Sequence, residues 1–264
     1  MKSTMVGRGS SRLRLHGQVI LALTLYEIKL RFRTSRSGYF LMLAEPVFQY
    51  AAMFAVFYVI QRHPAFGISL GVFLATGIVP YFLFMHLSSR VMGAVRSGRA
   101  YNKVQTVGFI DQVVARTILE FITLIVFGTA VFATLIFFKQ PGIPERPLEL
   151  VYSVVMIGIV AFGVGLINGV LSKIFKLYAL IYSILARSML FVSGVFYVPA
   201  TLPRILREYL SWNPLLHGLE WFRLGFFESY PAIDLDRGYV AAWAMGTVSL
   251  GLVMIRACKG RLQT

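Results

Sequence analysis

This 264-residue chain has one cysteine, four histidines and only eleven acidic residues, and it is poor in charge altogether. A lone Cys258 excludes an intrachain disulfide and a cysteine-built metal cage. His16, His63, His86 and His217 are scattered without metal-ligand spacing, so a zinc or iron centre is not expected. No GxxxxGK[ST] occurs, which leaves the chain without a phosphate-cradling loop of its own. HExxH and paired-carboxylate motifs are missing too, and with them the usual signatures of hydrolytic chemistry. Charged residues make up 14% of the chain, against about 25% in a soluble domain.

What the chain does have is apolar length. It is 57% hydrophobic, with mean hydropathy +0.71 and pI near 10.2. The 26 Lys and Arg lie mostly in short connectors between long uncharged runs. They do not interleave with aromatics on a soluble face, so no nucleic acid is expected as a partner. The pattern is that of a multi-span membrane protein.

Six runs reach or approach the roughly 20 residues that cross a bilayer core. They are Tyr39–Ile60, Gly67–Leu87, Val113–Phe138, Leu148–Leu171, Leu177–Val198 and Tyr239–Ile255. None alternates as a membrane barrel strand would, so the predicted fold class is an all-α integral membrane protein with six transmembrane helices. Eighteen Lys and Arg fall on the side of the two termini, and seven on the opposite side with most of the acids. The positive-inside rule then predicts cytoplasmic termini. Arg116 and Glu120 open the third run one helical turn apart, where they could pair. Ala161, Gly165 and Gly169, and also Ala242 and Gly246, recur at four-residue spacing, as small residues do where helices approach closely or fill a bundle interior.

Residues 1–38 do not read as a cleaved signal peptide, because the apolar core Val19–Tyr26 is short and more basic residues follow. Leu15, Val19, Leu23, Tyr26 and Leu30 share helical spacing, with Lys29, Arg31, Arg33 and Arg36 at the end. An amphipathic interface helix on the cytoplasmic face is expected, serving as a lipid anchor or as a surface for a partner. The division is thus 1–38 as N-terminal interface segment, 39–257 as six-span membrane domain and 258–264 as tail. Within it, 91–112 is the connector after span two and 199–238 the loop after span five. That loop holds Tyr209, Trp212, Trp221 and Phe222, close after Tyr197. Asn213-Pro214 reads as a helix start between two short helices, Leu202–Leu210 and Leu215–Phe227. An aromatic belt at the membrane edge is the plainer reading. An aromatic-lined exit for something that stacks on rings, as sugars do, is the sharper one.

Two features bear on chemistry. Arg187 lies mid-span in the fifth run, and an intramembrane Arg faces a bundle interior or a wet path. It suits phosphate or carboxylate groups, or it pairs with a carboxylate such as Glu45. Gly67-Ile68-Ser69-Leu70-Gly71 matches G-x-S-x-G, but no strand precedes it and the last two spans contain no His. An intramembrane serine protease using Ser69 is the alternative from another class.

An ordered set of segments carries a resemblance. Tyr26-Glu27-Ile28-Lys29-Leu30-Arg31-Phe32 leads to Gly38-Tyr39-Phe40 and Glu45-Pro46. Gly77-Ile78-Val79-Pro80-Tyr81-Phe82, Ala115-Arg116-Thr117-Ile118-Leu119-Glu120 and Trp212-Asn213-Pro214-Leu215-Leu216-His217 follow in order. Over nearly its whole length the chain resembles the permease subunits of capsular-polysaccharide and O-antigen ABC exporters. The resemblance implies a homodimer working with two copies of a separate ATPase, which binds ATP-Mg, so that this chain itself is no enzyme and holds no cofactor. It implies a lipid-linked anionic polysaccharide as cargo, with periplasmic and outer-membrane export proteins beyond. It also implies ATPase coupling through Arg96, Arg99, Asn102 and Lys103, although the stretch after Arg96 lacks the prolines of the family pattern. Arg187, Glu45, Tyr39, Tyr81 and Phe84 would line the substrate path. Tyr197, Tyr209, Trp212, Trp221 and Phe222 would form the outer gate. Within transport, export of teichoic acid or of a small drug is the alternative cargo.

Overall fold

The computed structural model describes residues 17–29, 38–67, 69–97, 109–140 and 142–258, with side chains beginning at 44 in the second helix and at 111 in the fourth. Every regular element among them is helical. α1 covers 17–29. Then come α2 (Gly38–Val59), α3 (Leu70–Arg96), α4 (Phe109–Phe137), α5 (Pro147–Ile174) and α6 (Tyr178–Val192). A 3-10 turn (Pro199–Thr201), α7 (Arg204–Leu210), α8 (Pro214–Phe226) and α9 (Arg237–Ala257) follow.

α3 and α5 form the axis of the bundle. α5 packs along α3 on one side and α9 on another, and α8 crosses both α3 and α5. Glycine makes the close approach possible. A Cβ at Gly165 would lie 2.6 Å from the Cβ of Val91 of α3, well inside contact distance, and one at Gly169 would press on Val95. The α5 small-residue stripe is therefore a helix seam. Its expected counterpart in α9 is different: Gly246 has open space around it, and Gly251 is the residue that meets Leu166 of α5. Spacing alone does not tell which face of α9 turns inward.

Among the described residues four helices are long and apolar enough to cross a membrane: Leu70–Arg96, Asp111–Phe137, Pro147–Ile174 and Arg237–Ala257. Large apolar side chains such as Phe48, Val59, Phe137 and Trp212 stand exposed on the surface. That is the arrangement expected where lipid, not water, is the solvent.

The fifth apolar run departs from expectation. It is helical only over Tyr178–Val192, 15 residues. At 1.5 Å per residue that is roughly 22 Å, short of a hydrocarbon core of about 30 Å. Ser193 caps the helix, and Gly194 follows with φ +76°, a left-handed conformation that favours glycine. Residues 194–198 are then non-helical, and their backbone groups need partners from elsewhere in the fold.

Candidate functional site

The partner of that break is Arg223 of α8. Asn213 and Pro214 start α8 as the sequence predicts: Asn213 Oδ1 accepts from Leu215 N–H at 3.0 Å, and Pro214 occupies the first turn. The helix carries Arg223 into the bundle with no exposed surface at all. Its guanidinium donates to three backbone carbonyls: Gly194 at 2.7 Å, Val195 at 2.7 Å and Tyr197 at 3.0 Å. It also lies 4.3 Å over the Phe73 ring of α3. A planar fork with five N–H donors in fixed geometry serves these three acceptors from two terminal nitrogens at once. Gly77 makes room, since a Cβ there would sit 2.7 Å from the Val195 oxygen and 2.8 Å from the guanidinium. By residue count Arg223 is merely one of seven charges on the acidic side. Only the break after α6, foreshadowed by Gly194, gives it a role.

Around Arg223 is a cluster of buried polar groups. Glu220, one turn earlier, has both carboxylate oxygens buried without a hydrogen bond among the described residues. Burial pushes its carboxyl up to about 8, helped by Asp234 and opposed by Arg223 and Arg207. Asp234 Oδ1 lies 3.3 Å from Arg207 Nε of α7, which ties the short helix to the chain entering α9. His217 links the same parts, with Nε2 2.7 Å from the Ser211 carbonyl and Nδ1 accepting from Asp236 N–H at 3.2 Å. These bonds place the ring proton on Nε2. The loop after span five is thus a fastened unit of α7, α8 and the start of α9.

Its aromatics separate into two groups. Tyr209 and Trp212 are exposed, whereas Trp221 and Phe222 are buried. Trp221 donates to Glu149, and Arg237 sits 5.4 Å over its ring. Tyr197 is half-buried, its hydroxyl donating to the Val192 carbonyl at 3.1 Å.

The expected path residues are also distributed. Arg187 is exposed on α6, and no ion pair joins it to Glu45 among the described residues. Glu45 is exposed on α2 and accepts from Gln49 at 3.4 Å. Tyr81 is buried, and its hydroxyl donates to the Ala186 carbonyl at 2.8 Å, next to Arg187 in the chain. Phe84 is half-buried against the core. The side chain of Tyr39 lies outside the described residues. So do Arg99, Asn102 and Lys103, while Arg96 is exposed in the last turn of α3.

At the other end of the bundle the charges pair differently from expectation. Arg116 reaches Glu27 of α1 at 2.9 Å, and Glu120 faces Arg90 of α3 at 3.7 Å. Neighbouring helices offer each group a partner, and these win over the pair one turn apart. Ser69 serves the fold, capping α3 by accepting from Val72 N–H at 3.4 Å. Its motif glycines flank that cap, Gly67 before it at φ +76° and Gly71 in the first turn of α3, closely packed near Leu135. The described residues hold no group of three metal-ligating side chains.

An all-helical bundle with four apolar helices of membrane-crossing length among the described residues, and a loop fastened to it by buried polar bonds, fits a membrane permease. Residues 18–227 match the family model of ABC-2 type transporters, and the chain belongs to that family. It is 30% identical over 237 residues to the polysialic acid transport protein KpsM of Escherichia coli, covering 89% of this chain and 91% of that one. The capsule polysaccharide export inner-membrane protein BexB of Haemophilus influenzae is 24% identical over 92% of both chains. The capsule polysaccharide export inner-membrane protein CtrC of Neisseria meningitidis is 22% identical over 94% of both.

Proposed function

We propose that this chain is the permease subunit of an ABC exporter carrying lipid-linked capsular polysaccharide across the bacterial inner membrane. The observation that carries the reading is the likeness, over about nine-tenths of the chain, to a polysialic acid transport protein and to capsule polysaccharide export inner-membrane proteins of two further species. Two copies of the chain enclose the path, and two copies of a separate ATPase bind ATP-Mg and drive it. α2, α3, α4, α5, α6 with its non-helical extension, and α9 make six crossings, with both termini cytoplasmic by the charge count. Arg187 faces the anionic cargo, with Glu45 and Tyr39 along the path and Tyr81 and Phe84 supporting it. The connector with Arg96, Arg99, Asn102 and Lys103 docks on the ATPase together with α1. α7 and α8 form the outer gate, where Tyr197, Tyr209 and Trp212 meet the emerging polymer while Trp221 and Phe222 hold the gate to the bundle. Periplasmic and outer-membrane export proteins receive the cargo.

Arg187→Ala tests the path. Surface polysaccharide should fall at least about tenfold, the loss of one charge-assisted contact, with ATPase copurification unchanged. Normal export would remove Arg187 from the mechanism. Charge reversal at Arg96, Arg99 and Lys103 should abolish ATPase copurification, and retained binding would overturn the docking assignment.

A further inference from the structure

We propose that Arg116 is a positioning residue that couples the interface helix α1 to both ends of the α3–α4 connector. The proposal rests on the reading of this chain as an ATPase-driven permease. One guanidinium joins three elements. It belongs to α4, its Nε donates to Glu27 Oε1 of α1 at 2.9 Å, and its Nη1 donates to Ser97 Oγ at 3.1 Å. Ser97 is the C-cap of α3, where the connector leaves the bundle. Arg116 stands in the first turns of α4, where the connector returns.

The pair is largely withdrawn from solvent, with side-chain exposures of 24% for Arg116 and 13% for Glu27. The Arg204–Glu208 pair, at 84% and 62%, is the ordinary surface case. Glu27 shares a helix face with Leu23 and Thr24, four and three residues earlier, and both of these are buried. The inward face of α1 thus sets a carboxylate beside buried Leu23 and Thr24, and Arg116 meets that carboxylate. Arg90 and Glu120, 3.7 Å apart, add a second bond between α3 and α4.

Mechanically, a motor that pushes on the connector or on α1 moves both through Arg116. The fork geometry is what allows it, because Nε and Nη1 point to different partners at once. A lysine has one compact ammonium and cannot hold Glu27 and the α3 cap in that arrangement.

The test uses the full-length chain coexpressed with its ATPase. Polysaccharide export, ATP hydrolysis by the purified complex, ATPase copurification and monodispersity on gel filtration are measured together. Glu27→Arg and Arg116→Glu should each lower export per ATP hydrolysed about tenfold, within the usual span of coupling between sites, with copurification and monodispersity unchanged. The double swap, Glu27→Arg with Arg116→Glu, should restore at least about a third of export, the signature of a direct pair. Arg116→Lys should fall between wild type and the reversals. Single reversals that export normally, or a folded double swap as inactive as its parents, overturn the proposal. Should a reversal not fold, Glu27→Gln decides: undiminished export per ATP overturns the proposal, and a loss of several-fold upholds it. A wild-type chain that copurifies no ATPase or exports no polysaccharide would instead overturn the functional reading.

Discussion

Replacing Arg223 by Met keeps an unbranched apolar side chain and removes the fork together with its contact over the Phe73 ring. Three bonds to carbonyls go, at 2.7, 2.7 and 3.0 Å. Hydrogen bonds to a charged group contribute about 1.5–3 kcal/mol each. Against that, the cost of burying a guanidinium, several kcal/mol, is no longer incurred. The carbonyls of the break stay where they are, and each one left without a donor costs about 1–3 kcal/mol. The net loss should be about 3–5 kcal/mol, the usual size when one partner of a buried charged network is removed. Glu220 softens the effect, because without Arg223 its carboxyl is even more readily neutral. For a chain of this size about 2–4 °C of Tm goes with each kcal/mol. Heating the detergent-solubilised variant before gel filtration should therefore show Tm lowered by roughly 6–20 °C. Hydrogen exchange should rise selectively at amides 193–198. Arg223→Lys should lie in between, since one compact ammonium nitrogen cannot reproduce the positions of the two terminal nitrogens of the fork. A Met variant within about 2 °C of wild type, with unchanged exchange over 193–198, would refute the role given to the fork.

Gly77→Ala should destabilise by about 1–3 kcal/mol, because the new methyl lies inside contact distance of both Val195 O and the Arg223 guanidinium. Gly246→Ala, with open space around it, should be neutral or slightly stabilising in the same thermal assay, and equal losses at the two positions would contradict the packing argument. Glu220→Gln tests the buried carboxyl by pH. Its folded-state value is raised to about 8 from an ordinary 4.5. The neutral form's stability is therefore fully present below about 4.5 and is lost as pH rises through about 8. Between those values wild type should lose up to ~1.4 kcal/mol per pH unit relative to the Gln variant. A wild-type-to-Gln difference in Tm that stays constant from about pH 5 to about pH 8.5 would show that Glu220 is already ionised throughout.

Much of the fold is written in the spacing of apolar runs. α2, α4, α5 and α9 begin and end within a few residues of the predicted spans, and α8 starts where Asn213-Pro214 says it should. Long apolar runs bounded by polar residues leave a helix few alternatives in lipid. The fifth run escapes this logic because hydropathy does not distinguish a helix from an apolar break whose carbonyls a distant arginine satisfies. Tertiary partners are equally hidden. Nothing in the spacing of Arg116 and Glu120 reveals that Glu27, 89 positions before Arg116, is the better acceptor. Of the candidate site, the helices of the outer loop are legible in the sequence, but which of its rings are buried is not. Trp221 and Trp212 sit in the same loop, nine residues apart, and only the packing of α8 on α5 separates them.

The two arginines of this region are chemically identical and placed oppositely, and that contrast bears on which one can meet cargo. Arg223 is buried among carbonyl acceptors that consume both terminal nitrogens. A phosphate or carboxylate would have to displace those acceptors, and freeing three buried carbonyls would cost more than one charged contact returns. Arg187 has the reverse arrangement. It is exposed on α6, it has no ion pair among the described residues, and the carbonyl of Ala186 beside it is already held by Tyr81. Its guanidinium can bind an anion without breaking a bond of the fold. A cargo-dependent effect is therefore expected at Arg187 and a stability effect at Arg223. An export defect in folded, ATPase-bound Arg187→Ala alongside a thermal defect in Arg223→Met would separate the two roles. The opposite pattern would mean that Arg223 of α8, not Arg187 of α6, carries the anion.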